Sequence, residues 1–428
     1  MLTASILIGL CALLLSGVPI FAALGLASLV IMYLTEGNIN AAGMVVFEKL
    51  NNPQLTVIPM FALMAHAMAK AKVIDDLYDA AQAFVGHLRG GLGVATVLAS
   101  ALFAAISGSS VVTALTIGSA AIPQMKRYGY PAWQSYGVVA AGGTLGILIP
   151  PSGPMILYAI VTEASIGALF LAGIIPGLLL AALFAVWCMI SAGAKYNITR
   201  TAWVGGKGLA SAIGNSIWAI LMPIVVLGGI YAGIVTAQEA AAIGCVYAIG
   251  VGSIIYRNFG IKALWETLAG AVQTSAMLFM IIASASIFAY AITIIRLPNH
   301  LIEMVTAMEL SKVGFILVVM AVVFILGMFL ESIAIILITT PIVLPVLQAL
   351  GINLVWYGVI LMVNLEVAMI TPPVGMNLFT IKGITNAPMA HIIRGASPYV
   401  ALMILGLVVL LLVPELATWL PNVAGYAN

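Results

Sequence analysis

Ile149-Pro150-Pro151-Ser152-Gly153 falls inside a long apolar run, and 222 residues later Thr371-Pro372-Pro373-Val374-Gly375 does the same. Adjacent prolines remove two backbone donors and push the preceding residue away from helical geometry, so each run must break at its middle. At membrane depth, freed carbonyls are tolerated only where protein or a water-filled cavity satisfies them. The pair therefore predicts two discontinuous transmembrane helices whose open backbone faces a site. Such breaks hold coupling ions and substrates in secondary transporters.

The rest of the chain fits that setting. Of 428 residues, 64% are hydrophobic and only 7% charged, with a mean hydropathy of +1.22. Soluble domains carry about 25% charge, so the chain reads as an all-α polytopic protein of the lipid bilayer. A net charge of +2, with no basic run longer than Lys126-Arg127, gives no basis for nucleic-acid binding. Cys11, Cys188 and Cys245 are widely spaced within apolar runs and suggest neither a disulfide framework nor a zinc site. Residues 2–33 lack the positive n-region and short apolar core of a cleaved signal, and are read as a first span.

A second span is expected at 54–70, followed by an amphipathic interfacial arm over Lys70 to Arg89. The run 92–125 would be about 50 Å long as one straight helix, against a bilayer core of about 30 Å. Ser107-Gly108-Ser109-Ser110 at its middle instead predicts a re-entrant hairpin with a Ser/Gly tip. The first broken span (132–162) follows, then spans at 168–193, 215–234 and 236–256. The second half repeats the plan with a span at 267–291, an arm at 296–311, a hairpin at 313–350, a broken span at 355–381 and a last span at 397–420. One constant offset carries Ser110 to Ser332, Pro123 to Pro345, Gly129 to Gly351, both prolines of the break, and Gly153 to Gly375.

An odd number of crossings separates the two copies, so they are inverted with respect to each other. Under that topology twelve of the fifteen Lys and Arg residues share the side of the N-terminus, leaving Lys49, Arg296 and Lys312 opposite. This is a positive-inside signal placing the N-terminus and first hairpin on the cytoplasmic side and the C-terminus on the other.

The Ser107–Ser110 tip with Pro123, Arg127-Tyr128-Gly129-Tyr130, Ile149-Pro150-Pro151-Ser152 and Thr371-Pro372-Pro373-Val374-Gly375-Met376-Asn377 together resemble the large membrane subunit of tripartite ATP-independent periplasmic (TRAP) transporters, over essentially the whole chain. The resemblance implies a sodium-coupled, elevator-type importer of small carboxylates in a bacterial inner membrane, with C4-dicarboxylates and sialic acid among the classes carried. The implied partners are a separate small four-helix membrane subunit and a soluble periplasmic substrate-binding protein. It also implies a division into scaffold spans and arm (1–91), a first transport half (92–165), further scaffold spans (166–295), a second arm (296–312), a second transport half (313–388) and a last scaffold span (389–428).

Ion sites are implied where tips meet breaks. In the first half these are Ser107, Gly108, Ser109, Ser110 and Thr113 with Gly142, Gly143, Gly146, Pro150, Pro151 and Ser152. In the second they are Gly327, Phe329, Glu331 and Ser332 with Asn364, Glu366, Thr371, Pro372, Gly375 and Asn377. Sodium is a hard cation that takes oxygen ligands, which hydroxyls and carbonyls at a helix break supply; the alternative for the same small residues is close helix packing. Glu331 and Glu366 are the acids nearest the expected centre, where an ionisable group is a functional candidate by default. Either would equally serve a stand-alone proton-coupled carrier. No Lys or Arg falls in the expected midplane, so substrate carboxylates are left to helix N-termini and hydroxyls. His66, His87, His300 and His391 are scattered and read as interfacial, and Trp356 is grouped with the interface anchors. No His or Lys base sits in the hairpins or broken spans to activate a serine, so no catalytic residue is assigned.

Overall fold

The computed structural model describes residues 9, 12–14, 16–70, 73–192, 198–199, 201–257 and 259–426. Cys11, Lys72, Lys195 and Arg200, and most of the N-terminal half of the first expected span, lie outside them. The described residues form helices and connecting turns, and seven helical segments, with the interrupted Ala132–Thr162 taken as one, are long and apolar enough to cross a membrane.

Both expected hairpins are present. The first pairs Gly91–Ser107 with Ser110–Arg127, and the second pairs Lys312–Gly327 with Ser332–Ala349. At the first tip the turn is closed by Gly108 at φ 59°, a left-handed conformation that only glycine adopts at little cost. Ser109 then caps the next helix by accepting from the Val112 amide at 3.5 Å. Both broken spans are also present, as Ala132–Leu148 with Gly153–Thr162 and Leu354–Met369 with Met376–Thr385. Ser152 caps the restart of the first, accepting from the Met155 amide at 3.4 Å.

Each break is tied to the tip of its own half. The Gly153 amide donates to the Gly108 carbonyl at 3.4 Å, and the Gly375 amide donates to the Met328 carbonyl at 3.2 Å. The halves also interlock, because Met376–Thr385 packs against both Ser110–Arg127 and Ala132–Leu148. Around this centre the helix Val57–Lys70 packs on Ala237–Gly250 and on the 34-residue helix Ile261–Ile294, which also holds Ile20–Glu36. The first arm, Val73–Val85, buries Leu77, Tyr78, Ala81 and Val85 against its neighbours and leaves Phe84 exposed.

Several boundaries differ from the sequence reading. The expected first span is interrupted at Gly17-Val18-Pro19, where a positive-φ glycine and a proline end one helix before Ile20–Glu36 begins. A short helix, Ala41–Leu50, lies between the first and second expected spans, where no element is expected. The expected last span of 397–420 runs instead from Met389 to Leu412, stops at Pro414 and resumes as Glu415–Val423. Trp356 is buried rather than an interface anchor, its indole N–H donating to the Leu410 carbonyl at 2.9 Å.

Candidate functional site

The two tips and the first break share one cavity of about 350 Å³. Ser107, Gly108, Ser109, Ser110, Pro151, Glu331 and Ser332 all line it, so seven of the sequence-derived candidates meet at one place. Ser110, Gly153 and Ser332, the first residues of three helices, sit on this wall. The N-termini at Ser110 and Ser332 each carry about half a positive charge and favour anions, whereas the first-turn amides at Gly153 are spent on the Gly108 carbonyl and on Ser152, and Pro154 has none. Glu331 is half-buried on the same wall, at the N-cap of its helix, and caps no amide with its side chain. Ser332 lies beside it and donates to the Met369 sulfur at 3.3 Å.

Behind Ser110 lies a fully buried polar network. The Ser110 hydroxyl donates to Glu366 Oε2 at 2.8 Å and accepts from Asn377 Nδ2 at 2.8 Å, and Asn377 Nδ2 also points to the Ala140 carbonyl at 3.4 Å. Glu366 Oε1 and Asn377 Oδ1 have no hydrogen-bond partner among the described residues. Buried orphans of this kind call for a donor, a water or a cation. The network adds a join between the halves that the sequence pairing, Ser110 with its own break and Glu366 and Asn377 with the other, does not contain. A first-half serine is joined to second-half residues, because the restarted helix Met376–Thr385 crosses onto the first hairpin.

The remaining candidates pack around this centre. Thr113 donates to the Ser109 carbonyl at 2.7 Å and lies 2.8 Å from the Ser107 hydroxyl, fixing the first tip. A side chain at Gly143 would meet Ala114 and Asn377, one at Gly146 the Ser109 carbonyl, and one at Gly142 the Ser100 hydroxyl. Pro150 and Ser152 are buried in the first break, with Ser152 spent on its cap. Asn364 donates to the Met320 carbonyl at 2.9 Å, holding the second hairpin to the second broken helix, and Gly327 packs against Ala368. Thr371 donates to the Val367 carbonyl at 2.6 Å, Gly375 makes the tie to Met328, and Pro372 and Phe329 are exposed and do not line the cavity.

Sequence reasoning missed the opposite wall. Ile58, Phe61, Ala65, His66 and Ala69 form one helical face of Val57–Lys70 toward the tips, with Thr274 and Met277 from Ile261–Ile294 beside them. His66 is thus a cavity residue rather than an interfacial one. Its helical spacing with Ala62 and Ala69 is the signal that was available, but every face of an apolar span carries such spacing.

This arrangement of paired hairpins and broken helices has counterparts among known proteins. The crystal structure of the Alcanivorax borkumensis YdaH transporter superposes with a TM-score of 0.65 over 88% of each chain, at 14% identity, which shows a shared fold. The C4-dicarboxylate TRAP transporter large permease protein DctM of Pseudomonas aeruginosa is 40% identical over 94% of each chain. The sialic acid TRAP transporter large permease protein SiaM of Vibrio cholerae is 30% identical over 97% of this chain and 98% of its own. The family model described as tripartite ATP-independent periplasmic transporter, DctM component, matches residues 7–416. The chain belongs to the DctM family of TRAP transporter large permeases.

Proposed function

We propose that this chain is the large membrane subunit of a sodium-coupled, binding-protein-dependent importer of small carboxylates that works by an elevator movement. The observation that carries the reading is the shared cavity wall, where the helix N-termini at Ser110 and Ser332 stand beside the Glu331 carboxyl. The N-termini suit an anion, but an ionised Glu331 opposes it. Two like charges about 6 Å apart at an effective dielectric of about 20 repel by about 3 kcal/mol. A cation bound with the substrate relieves that repulsion, which ties entry of the anion to entry of the cation. Serine hydroxyls at the tips, carbonyls at the breaks and the orphaned oxygens of Glu366 and Asn377 are hard oxygen donors suited to sodium.

In this account residues 92–165 and 313–388 move as one body, and 1–91, 166–312 and 389–428 form the scaffold and arms. The interlock of the two halves supports treating them as a single body. The C4-dicarboxylates and sialic acid in the relatives' names support a small carboxylate as the substrate class. The term large permease in those names implies a smaller membrane companion, and the family description implies a periplasmic component. With the N-terminus facing the cytoplasm of an inner membrane, the first hairpin opens inward and the second outward. A proton-coupled carrier is the rival reading, favoured by the unpartnered Oε1 of the buried Glu366.

The test is uptake of labelled succinate and N-acetylneuraminate into proteoliposomes holding this chain and its small partner. Uptake of either that needs both a sodium gradient and the binding protein supports the proposal. Uptake driven by a pH gradient without sodium or binding protein overturns it in favour of the rival.

A further inference from the structure

Among the residues that line the cavity, His66 and Glu331 are the ionisable ones, and His66 carries the wall's one side-chain nitrogen donor. It stands on Val57–Lys70, outside the hairpins and broken helices. Its ring is held by the facing helix. Nε2 lies 3.1 Å from the Thr274 hydroxyl, and one turn earlier Gly270 leaves room for the imidazole, since a Cβ there would stand 3.0 Å from its Cε1 and Nδ1. Gly270 and Thr274 lie four residues apart on one face of Ile261–Ile294, so together they form a notch that fixes the ring against the scaffold. Nδ1 makes no hydrogen bond with the described residues. If Nε2 accepts from the Thr274 hydroxyl, the ring proton sits on Nδ1, which makes the half-buried imidazole a donor on a wall that holds no Lys or Arg.

We propose that His66 is a specificity-determining residue, donating from the scaffold side to a carboxylate of the substrate while the tips hold the substrate from the other side. The proposal rests on the carboxylate reading given above and adds a recognising group outside the hairpins and broken helices. It also gives the substrate one contact to each body, so that a carboxylate in the cavity favours the arrangement in which scaffold and tips face each other across it.

Equilibrium binding of labelled succinate and N-acetylneuraminate to the purified two-subunit membrane complex in sodium tests this. Wild type, His66→Phe and His66→Gln are compared, with melting temperature as a control. For whichever probe wild type binds, His66→Phe is expected to raise Kd about tenfold, the size of one lost charge-assisted hydrogen bond. His66→Gln, which keeps an N–H donor, stays within about threefold. The sodium dependence of binding is unchanged in both. A His66→Phe Kd within twofold of wild type overturns the proposal. So does equal loss in both variants with a lowered melting temperature, which would mark a structural role. Wild type that binds neither probe refutes the carboxylate reading itself, and the proposal with it.

Discussion

Ser110→Ala is the perturbation that the buried network makes most specific. The substitution removes one oxygen that serves two partners, Glu366 Oε2 and Asn377 Nδ2, each at 2.8 Å. Both partners are sealed from solvent, with Glu366 1% and Asn377 0% exposed. A buried carboxyl left without its donor costs about 1–3 kcal/mol, and an amide that keeps only a long second bond costs about 1 kcal/mol more, giving about 2–4 kcal/mol in all. Unfolding entropy of about 2.1 cal/mol/K per residue, over a chain of this length, puts 1 kcal/mol at about 1 °C, so the melting temperature should fall by about 2–4 °C. Scanning fluorimetry in one fixed detergent reads this directly. The decisive step is a double-mutant cycle with Glu366→Leu. If the cost of Ser110→Ala arises from orphaning Glu366, the double variant loses less than the sum of the singles, with a coupling of about 1–3 kcal/mol. Additivity within about 0.5 kcal/mol would refute the reasoning.

Three further expectations follow from particular contacts. Gly395→Ala drives a Cβ into the Trp133 backbone carbonyl where Met389–Leu412 crosses Ala132–Leu148, and should cost about 3 kcal/mol or prevent assembly, read by size-exclusion profile and melting temperature. Gly383→Ala, with open space around it, is the neutral control. Lys49→Met removes the ammonium that donates to the Ile160 carbonyl at 3.1 Å, a tie between the proposed scaffold and the proposed moving body. If that tie breaks in each cycle and reorientation limits the rate, a loss of about 1 kcal/mol should speed uptake about two- to fivefold in initial-rate measurements. Lys70→Ala breaks the ion pair to Glu266 at 2.5 Å, whose side chains are 45% and 44% exposed, and should move stability by less than about 1 kcal/mol with uptake unaltered.

The breaks and tips were readable in the sequence because their cause is local. Two adjacent prolines end a helix and the first Ser/Gly tip closes through one left-handed glycine, so the first hairpin and both broken spans lie close to their expected bounds, as does the second hairpin, whose tip has no such glycine. The offset repeat was readable for the same reason, since helix-breaking residues mark register where apolar residues do not. Contacts between elements were not readable. Nothing in the sequence around Ser110 points to Glu366, 256 residues away, or to Asn377, because the join depends on how the two halves cross. His66 and Trp356 failed for a related reason. In an almost wholly apolar chain a polar side chain at helical spacing fits a cavity, a buried contact or a lipid interface equally well, and only packing decides.

The central claim, that the anion crosses together with sodium, is tested most directly by measuring both fluxes in one preparation. Proteoliposomes containing the two membrane subunits and loaded binding protein would be followed for uptake of ²²Na⁺ and ¹⁴C-labelled carboxylate together, with the membrane potential clamped. The account predicts sodium entry that begins only when the carboxylate is added, rises in fixed proportion to it, and falls with it in Ser110→Ala. Carboxylate entry that leaves the sodium flux at its background level would contradict it.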